Sequence, residues 1–65
     1  MDAGLAPLLS SADVAEWLDV SERTLEFWRY VGKGPAYVKV GKRVRYRPAD
    51  VEAFLEANRQ DAEAG

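Results

Sequence analysis

The sequence predicts a mainly α-helical fold with one small β-hairpin, in the order helix, tight turn, helix, hairpin, helix. Three observations carry this prediction. Two helix-capping patterns stand close together in the first third of the chain, apolar and basic residues alternate on both sides of Gly41, and a third helical pattern follows Pro48. The chain has 65 residues. A chain this short removes only about 60% of its unfolded surface from water, so we expect one domain with a thin core.

The first predicted helix covers about residues 11–18. Ser10 and Asp13 form a capping-box pattern, in which each side chain accepts a hydrogen bond from the other residue's backbone N–H. Apolar residues then recur at the spacing of one helix face: Val14, Ala15 and Leu18. We therefore expect a short amphipathic helix that buries this face.

The second predicted helix begins only three residues later. Ser21 is a favoured N-cap residue, and Glu22 places an acid in the first turn, where the helix dipole favours it. Gly32 suits the left-handed position at which many helices end. The apolar stripe of this helix consists of Leu25, Trp28 and Val31. Because only residues 19–21 separate the two helices, they form a tight helix-turn-helix unit.

The segment around Gly41 is predicted to be a β-hairpin, since apolar and basic residues alternate on both sides of it. Parity favours a three-residue loop, because pairing Val40 with Val44 places the apolar side chains on one face. That face holds Val38, Val40, Val44 and Tyr46. A two-residue loop would pair Val40 with Arg43 and mix the two faces. The bases then point outward: Lys39, Lys42, Arg43 and Arg45.

The third predicted helix covers about residues 48–58. Pro48 suits the first helical position, where its missing N–H costs no hydrogen bond. The buried stripe is expected to consist of Val51, Phe54, Leu55 and Asn58. This helix would close the core against the helix-turn-helix unit.

Charge is strongly polarised along the chain, although the net charge is only −2. Residues 1–22 carry five acids and no base, whereas residues 23–47 carry eight bases and one acid, a net charge of +7. Acids again predominate in residues 48–65. If the fold gathers the central bases on one surface, they form a basic footprint for a polyanion. The alternative is that the acids pair with these bases.

The composition excludes several functions. The chain has no cysteine and no histidine, so disulfides, Cys/His zinc sites, thiol catalysis and Ser-His dyads are absent. No apolar run approaches the roughly 20 residues that span a bilayer. We therefore expect a cytoplasmic protein that is not an enzyme, with no metal, cofactor, small-molecule ligand or membrane partner.

Several motifs resemble those of a known family. They are Asp13-Val14-Ala15, Leu18-Asp19-Val20-Ser21, Arg23-Thr24-Leu25, Trp28-Arg29, Lys39-Val40-Gly41-Lys42 and Asp50-Val51-Glu52-Ala53-Phe54-Leu55. Over about residues 8–58 the chain resembles the excisionase-type, AlpA-like domains of the MerR-like superfamily, which occur in phages and integrated bacterial elements. The fold implied is a winged helix-turn-helix, with the hairpin as a two-stranded wing. Residues 1–7 are expected to form a flexible N-terminal tail and residues 59–65 a frayed C-terminal tail.

One residue of the turn departs from this resemblance. The family usually has glycine where this chain has Asp19. A left-handed backbone conformation costs an aspartate less than it costs most residues, so we expect the turn to form there with some strain.

The resemblance implies binding to double-stranded DNA, with the second helix in the major groove and the wing against the backbone or a minor groove. The candidate contacts are Ser21, Glu22, Arg23, Thr24, Glu26, Phe27, Arg29 and Tyr30 on the second helix and Lys39, Lys42, Arg43 and Arg45 on the wing. Arg23 suits a guanine, and Glu22 or Glu26 a cytosine amino group. Ser21 and Thr24 suit phosphate oxygens, as do the wing cations.

Each candidate also has a purely structural interpretation. Arg23 and Arg29 could be solvated charges that pair with nearby acids, and Glu22 could serve only the helix dipole. Phe27 and Tyr30 could simply cover the hairpin. The wing cations have little structural purpose, which favours a binding role for them.

Three functions are compatible with this pattern. The favoured one is an excisionase, a recombination directionality factor that binds repeated sites and acts with an integrase. A small transcriptional regulator needs the same DNA contacts, and an adaptor could use the acidic helices to contact a recombinase or polymerase. The basic middle and acidic ends also predict weak head-to-tail self-association on DNA, because neighbouring copies would meet with opposite charges.

Overall fold

The computed structural model describes residues 7–60, which form three helices and a two-stranded antiparallel hairpin in the predicted order. The elements are α1 (Ser11–Leu18), α2 (Glu22–Val31), β1 (Val38–Val40), β2 (Arg43–Arg45) and α3 (Pro48–Ala57). This confirms the mainly helical fold class, and the arrangement is that of a winged helix-turn-helix. Residues 1–6 and 61–65, and with them most of the two predicted tails, lie outside the described residues.

Local interactions fix both ends of α1 and the start of α2. The Asp13 N–H donates to Ser10 Oγ at 3.1 Å, and the Ser10 N–H donates to the Asp13 carboxylate at 3.0 Å, so the predicted capping box is present. The Thr24 N–H donates to Ser21 Oγ at 3.0 Å, which confirms the second N-cap. Asp19 ends α1 in the left-handed region, at φ 57° and ψ 47°, as expected for this turn.

The core is thin and draws on every helix and the end of the hairpin. Its buried side chains are Val14, Ala15, Leu25, Tyr46 and Val51. Trp28 of α2 is half-buried and packs its ring 5.6 Å from that of Phe54 in α3. The outer members of the predicted stripes, Val31, Leu55 and Asn58, are exposed instead. A domain this small has too little interior to bury every apolar position of each helix.

The hairpin differs from its predicted register. Its strands pair Val38 with Arg45, Lys39 with Val44 and Val40 with Arg43, which leaves the two-residue loop of Gly41 and Lys42. Gly41 has φ 66°, and a glycine with positive φ in the first loop position suits a two-residue type II′ turn. The parity argument was wrong because it assumed that every apolar wing residue faces the core.

The two faces of the wing therefore have mixed composition. One face carries Val38, Val40, Arg43 and Arg45, because directly opposed residues of a strand pair share a face. The other face directs Val44 toward the core. Val40 is left 53% exposed, so the apolar pattern overstated how much of the wing is buried.

A short bridge that the sequence did not suggest ties the wing to the start of α1. The Leu9 N–H donates to the Tyr46 carbonyl and the Tyr46 N–H donates to the Leu9 carbonyl, both at 2.8 Å. A bridge of one residue pair produces no alternating pattern, so only three-dimensional packing reveals it. It places the beginning of α1 beside the wing.

Candidate nucleic-acid interface

The outward face of α2 displays most of the residues predicted to contact DNA. Ser21, the N-cap residue, is exposed, as are the helix residues Glu22, Arg23, Glu26, Phe27 and Tyr30. Thr24 is half-buried, and its hydroxyl lies 3.0 Å from the Ser21 hydroxyl. This face of α2 is exposed because the helix packs against the core through its other side, where Leu25 is buried.

Two aromatic side chains stand on this face without covering the wing. Phe27 is 58% exposed and Tyr30 is 86% exposed. The ring contacts among residues 7–60 join other aromatics, namely Trp28 with Phe54 and Tyr37 with Tyr46. An exposure this high contradicts the interpretation that Tyr30 shields the hairpin. Exposed apolar surface of this kind on a helix is available to a partner.

The wing presents its four bases at different positions. Lys42 lies in the loop, and Arg43 and Arg45 share one face of the hairpin. Lys39 lies on the opposite face, across from Val44, and is nevertheless exposed. Arg45 is half-buried and donates from Nη1 to the Val44 carbonyl at 2.8 Å. The corrected register thus leaves all four cations accessible.

Ion pairing does not neutralise the central bases. The ion pairs between described residues join Arg47 to Asp50 at 3.9 Å and Arg59 to Glu56 at 3.3 Å. Within the described part of the chain, no base from Arg23 to Arg45 forms an ion pair with an acid. The alternative that acids simply absorb the basic block is therefore wrong for all of it except Arg47.

One weaker electrostatic contact reaches the wing. The pKa of the Asp13 carboxyl lies below its ordinary value, chiefly because the Ser10 backbone N–H donates to it and secondly because of a hydrogen bond with the Ser10 hydroxyl. The positive charge of Arg45 also lowers this pKa. Asp13 thus remains ionised and keeps the α1 cap closed next to the wing.

An open groove of about 400 Å³ joins the wing to the helices. It is bordered by the start of α1, the first turn of α2 and β2, and its polar lining includes Ser10, Ser11, Glu22, Arg29, Arg43 and Arg45. Three guanidinium groups face one carboxylate there, so the groove favours an anion. The groove thereby connects the first turn of α2 with the wing.

Arg29 does not lie on the outward face where it was predicted. It is half-buried and donates from Nη1 to Tyr46 Oη at 2.8 Å and to Ser11 Oγ at 3.4 Å. Its guanidinium carbon lies 5.8 Å from the centroid of the Tyr37 ring. The placement follows from helical spacing, because position 29 lies one turn after the buried Leu25. The sequence-based prediction placed Arg29 on the outward face because it is charged, and did not consider its spacing from Leu25.

The three helices, the tight turn and the wing define the class of protein, a winged helix-turn-helix with its second helix exposed. A family model described as a helix-turn-helix domain matches residues 8–59. The chain belongs to this family, the AlpA and excisionase-type helix-turn-helix domains, and is a DNA-binding protein whose partner is double-stranded DNA. A comparison of the chain with curated proteins finds no significant match. No helix in residues 7–60 is both long and apolar enough to cross a membrane.

Proposed function

We propose that the chain binds DNA sequence-specifically, with α2 in the major groove and the wing against the backbone or an adjacent minor groove. The observation that carries this proposal is a set of solvent-accessible cations that form no ion pair among residues 7–60: Arg23 on α2 and Lys39, Lys42, Arg43 and Arg45 on the wing. Solvent-accessible cations without acid partners are free to exchange their counterions for phosphates. An α-helix fits the width of the major groove, and this one presents its outward face.

Base reading is assigned to the first turn of α2. Arg23 is exposed there and has the length and two-pronged donor geometry to bond the O6 and N7 atoms of guanine. Glu22 and Glu26 are exposed acceptors for a cytosine amino group. Phe27 follows Arg23 by one helical turn, where its ring suits a thymine methyl group. Tyr30, one turn further, suits the sugar-phosphate backbone.

Affinity is assigned mainly to the wing. Lys39, Lys42, Arg43 and Arg45 provide four cations for phosphates or for a narrow minor groove. Each phosphate neutralised contributes about −0.9 to the slope of log K against log salt, so four contacts give a slope of roughly −4. Ser21 and Thr24, at the start of α2, are proposed to bond phosphate oxygens and fix the angle of the helix.

The biological role proposed is that of an excisionase, related to the MerR-like superfamily and acting with an integrase. Membership of the AlpA and excisionase-type family, whose model matches residues 8–59, supports this role. A single small module typically buries only about 600–1,000 Å² of protein surface on DNA, so specificity would require several copies side by side. A transcriptional regulator that binds repeated sites is the second candidate.

Footprinting tests the proposal and separates the two roles. The chain is added to DNA that flanks its gene, with and without an integrase encoded nearby, and Arg23→Ala serves as the matched control. We expect protected direct repeats whose protection extends or strengthens with the integrase. Protection that the integrase leaves unchanged, over a promoter, would favour the regulator. Absence of any footprint at low salt would contradict sequence-specific binding.

A further inference from the structure

One side chain of α2 contacts three separate parts of the molecule. Arg29 Nη1 lies 2.8 Å from Tyr46 Oη and 3.4 Å from Ser11 Oγ, and its guanidinium group lies over the Tyr37 ring at 5.8 Å. Tyr46 directly follows β2, Ser11 begins α1, and Tyr37 directly precedes β1. Arg29 therefore sits where the base of the wing meets both helices of the helix-turn-helix unit.

The Tyr46 end of this contact is rigid. Tyr46 is 1% exposed, and its backbone is fixed by the two 2.8 Å hydrogen bonds to Leu9. Its ring lies 6.1 Å from that of Tyr37, so the two residues bracket the base of the hairpin. A guanidinium group offers several donors in a fixed plane, which suits it to hold such partners together.

Apart from packing in the core, little fixes the wing relative to α2. Among residues 7–60, the bond from Arg29 to Tyr46 is the only hydrogen bond that joins α2 to the hairpin and its continuation at Tyr46. The tip of the wing is exposed, with Val40, Lys42 and Arg43 all accessible to solvent. The orientation of the wing therefore depends strongly on what holds its base.

We propose that Arg29 is a positioning residue that sets the angle between α2 and the wing, and is not itself a DNA contact. The proposal rests on the proposed function, because the angle matters only if α2 and the wing engage the same duplex. If the wing is already held in its binding orientation, no entropy is lost in ordering it when the protein binds DNA. If only a fraction of molecules holds the wing correctly, the apparent affinity falls by that fraction.

The first test removes the hydroxyl that Arg29 bonds and leaves the charge in place. Tyr46→Phe is expected to weaken binding to a duplex with a cognate site by about 3- to 10-fold, because one hydrogen bond from a charged donor is lost. The slope of log K against log salt should stay unchanged, since no phosphate contact is removed. Circular dichroism confirms folding at the binding temperature.

A double-mutant cycle separates positioning from a general loss of stability. Lys42→Ala together with Arg43→Ala removes two exposed wing cations and leaves the base of the wing intact. If Arg29 acts by positioning the wing, Tyr46→Phe should cost less than half as much, on a logarithmic scale, in this background. An equal cost in both backgrounds, or no cost in either, would overturn the proposal.

Arg29→Gln removes the donor of the same hydrogen bond. It provides a second test that does not depend on whether Tyr46→Phe folds. A positioning role predicts weaker binding with the salt slope of the unaltered chain. A slope that becomes shallower by about 0.9 would show instead that Arg29 neutralises a phosphate. Failure of the unaltered chain to bind DNA at any salt concentration would refute the proposed function and, with it, this role.

Discussion

Replacing Asp19 with glycine should stabilise the fold, because Asp19 holds a backbone conformation that glycine adopts at no steric cost. Its φ of 57° and ψ of 47° lie in the left-handed region, and it is the one non-glycine residue with positive φ among residues 7–60. The side chain is exposed and makes no hydrogen bond or ion pair with another described residue. The substitution therefore removes strain and no contact.

The magnitude is a difference between two effects. A left-handed conformation costs an L-residue roughly 1–2 kcal/mol, and aspartate lies at the low end. Glycine also loses more backbone entropy on folding, by roughly 0.5–1 kcal/mol. We expect a net gain of up to about 1 kcal/mol in the free energy of unfolding, and a domain of this size gains about 4–8 °C in Tm per kcal/mol.

Thermal unfolding followed by circular dichroism measures this effect, with Asp19→Ala as the matched control. Alanine lacks the local hydrogen bonding that lets aspartate tolerate this region, so its Tm should fall below that of the unaltered chain. DNA affinity should not change in Asp19→Gly, since the residue lies outside the proposed contact surface. A Tm that is unchanged or lower in Asp19→Gly would refute the reasoning and assign Asp19 a stabilising side-chain role.

Three further predictions follow from the site and the caps. Arg23→Ala should cost about 1–3 kcal/mol on a cognate duplex and much less on random DNA in fluorescence anisotropy, because a base contact is lost; equal losses on both would make Arg23 a phosphate contact. The lowered pKa of Asp13 means that its contribution to stability is present above the unfolded carboxyl pKa, near 4, and is lost as the pH falls through the folded value. Asp13→Asn should therefore flatten the acid side of a Tm-against-pH curve, and an unchanged curve would count against this linkage. Finally, the chain should sediment as a monomer without DNA yet bind two or three direct repeats more tightly per site than one, whereas equal affinities per site would reject head-to-tail contact.

The helices could be predicted closely because their ends depend on neighbouring residues. The capping box of Ser10 and Asp13, the N-cap Ser21 and the left-handed Gly32 each act within one turn of the chain. The hairpin register could not be predicted in the same way, because it depends on which wing residues the core can cover. The thin core covers Val44 and leaves Val40 outside, so a two-residue loop is accommodated.

The exposure of several candidate residues was predictable, although their contact with DNA stays a prediction. Helical spacing and charge were sufficient for Arg23, and charge alone indicated that the wing cations are accessible. Helical spacing from Leu25 was sufficient to place Arg29 on the inner side of α2, but not to identify its partners Ser11 and Tyr46, which lie 18 and 17 residues away along the chain. The groove that joins wing and helices was also missed, since it forms only through the true register and the bridge at Leu9.

The salt dependence of DNA binding tests the central claim most directly, that the unpaired cations of the wing contact phosphates. Affinity for a duplex is measured by fluorescence anisotropy at several salt concentrations for the unaltered chain, for Arg43→Ala and for Arg47→Ala. Arg47 is the matched control, because it already pairs with Asp50 beside α3. We predict a slope of log K against log salt of roughly −4, shallower by about 0.9 in Arg43→Ala and nearly unchanged in Arg47→Ala. A slope near zero, or equal changes in the two variants, would contradict the account.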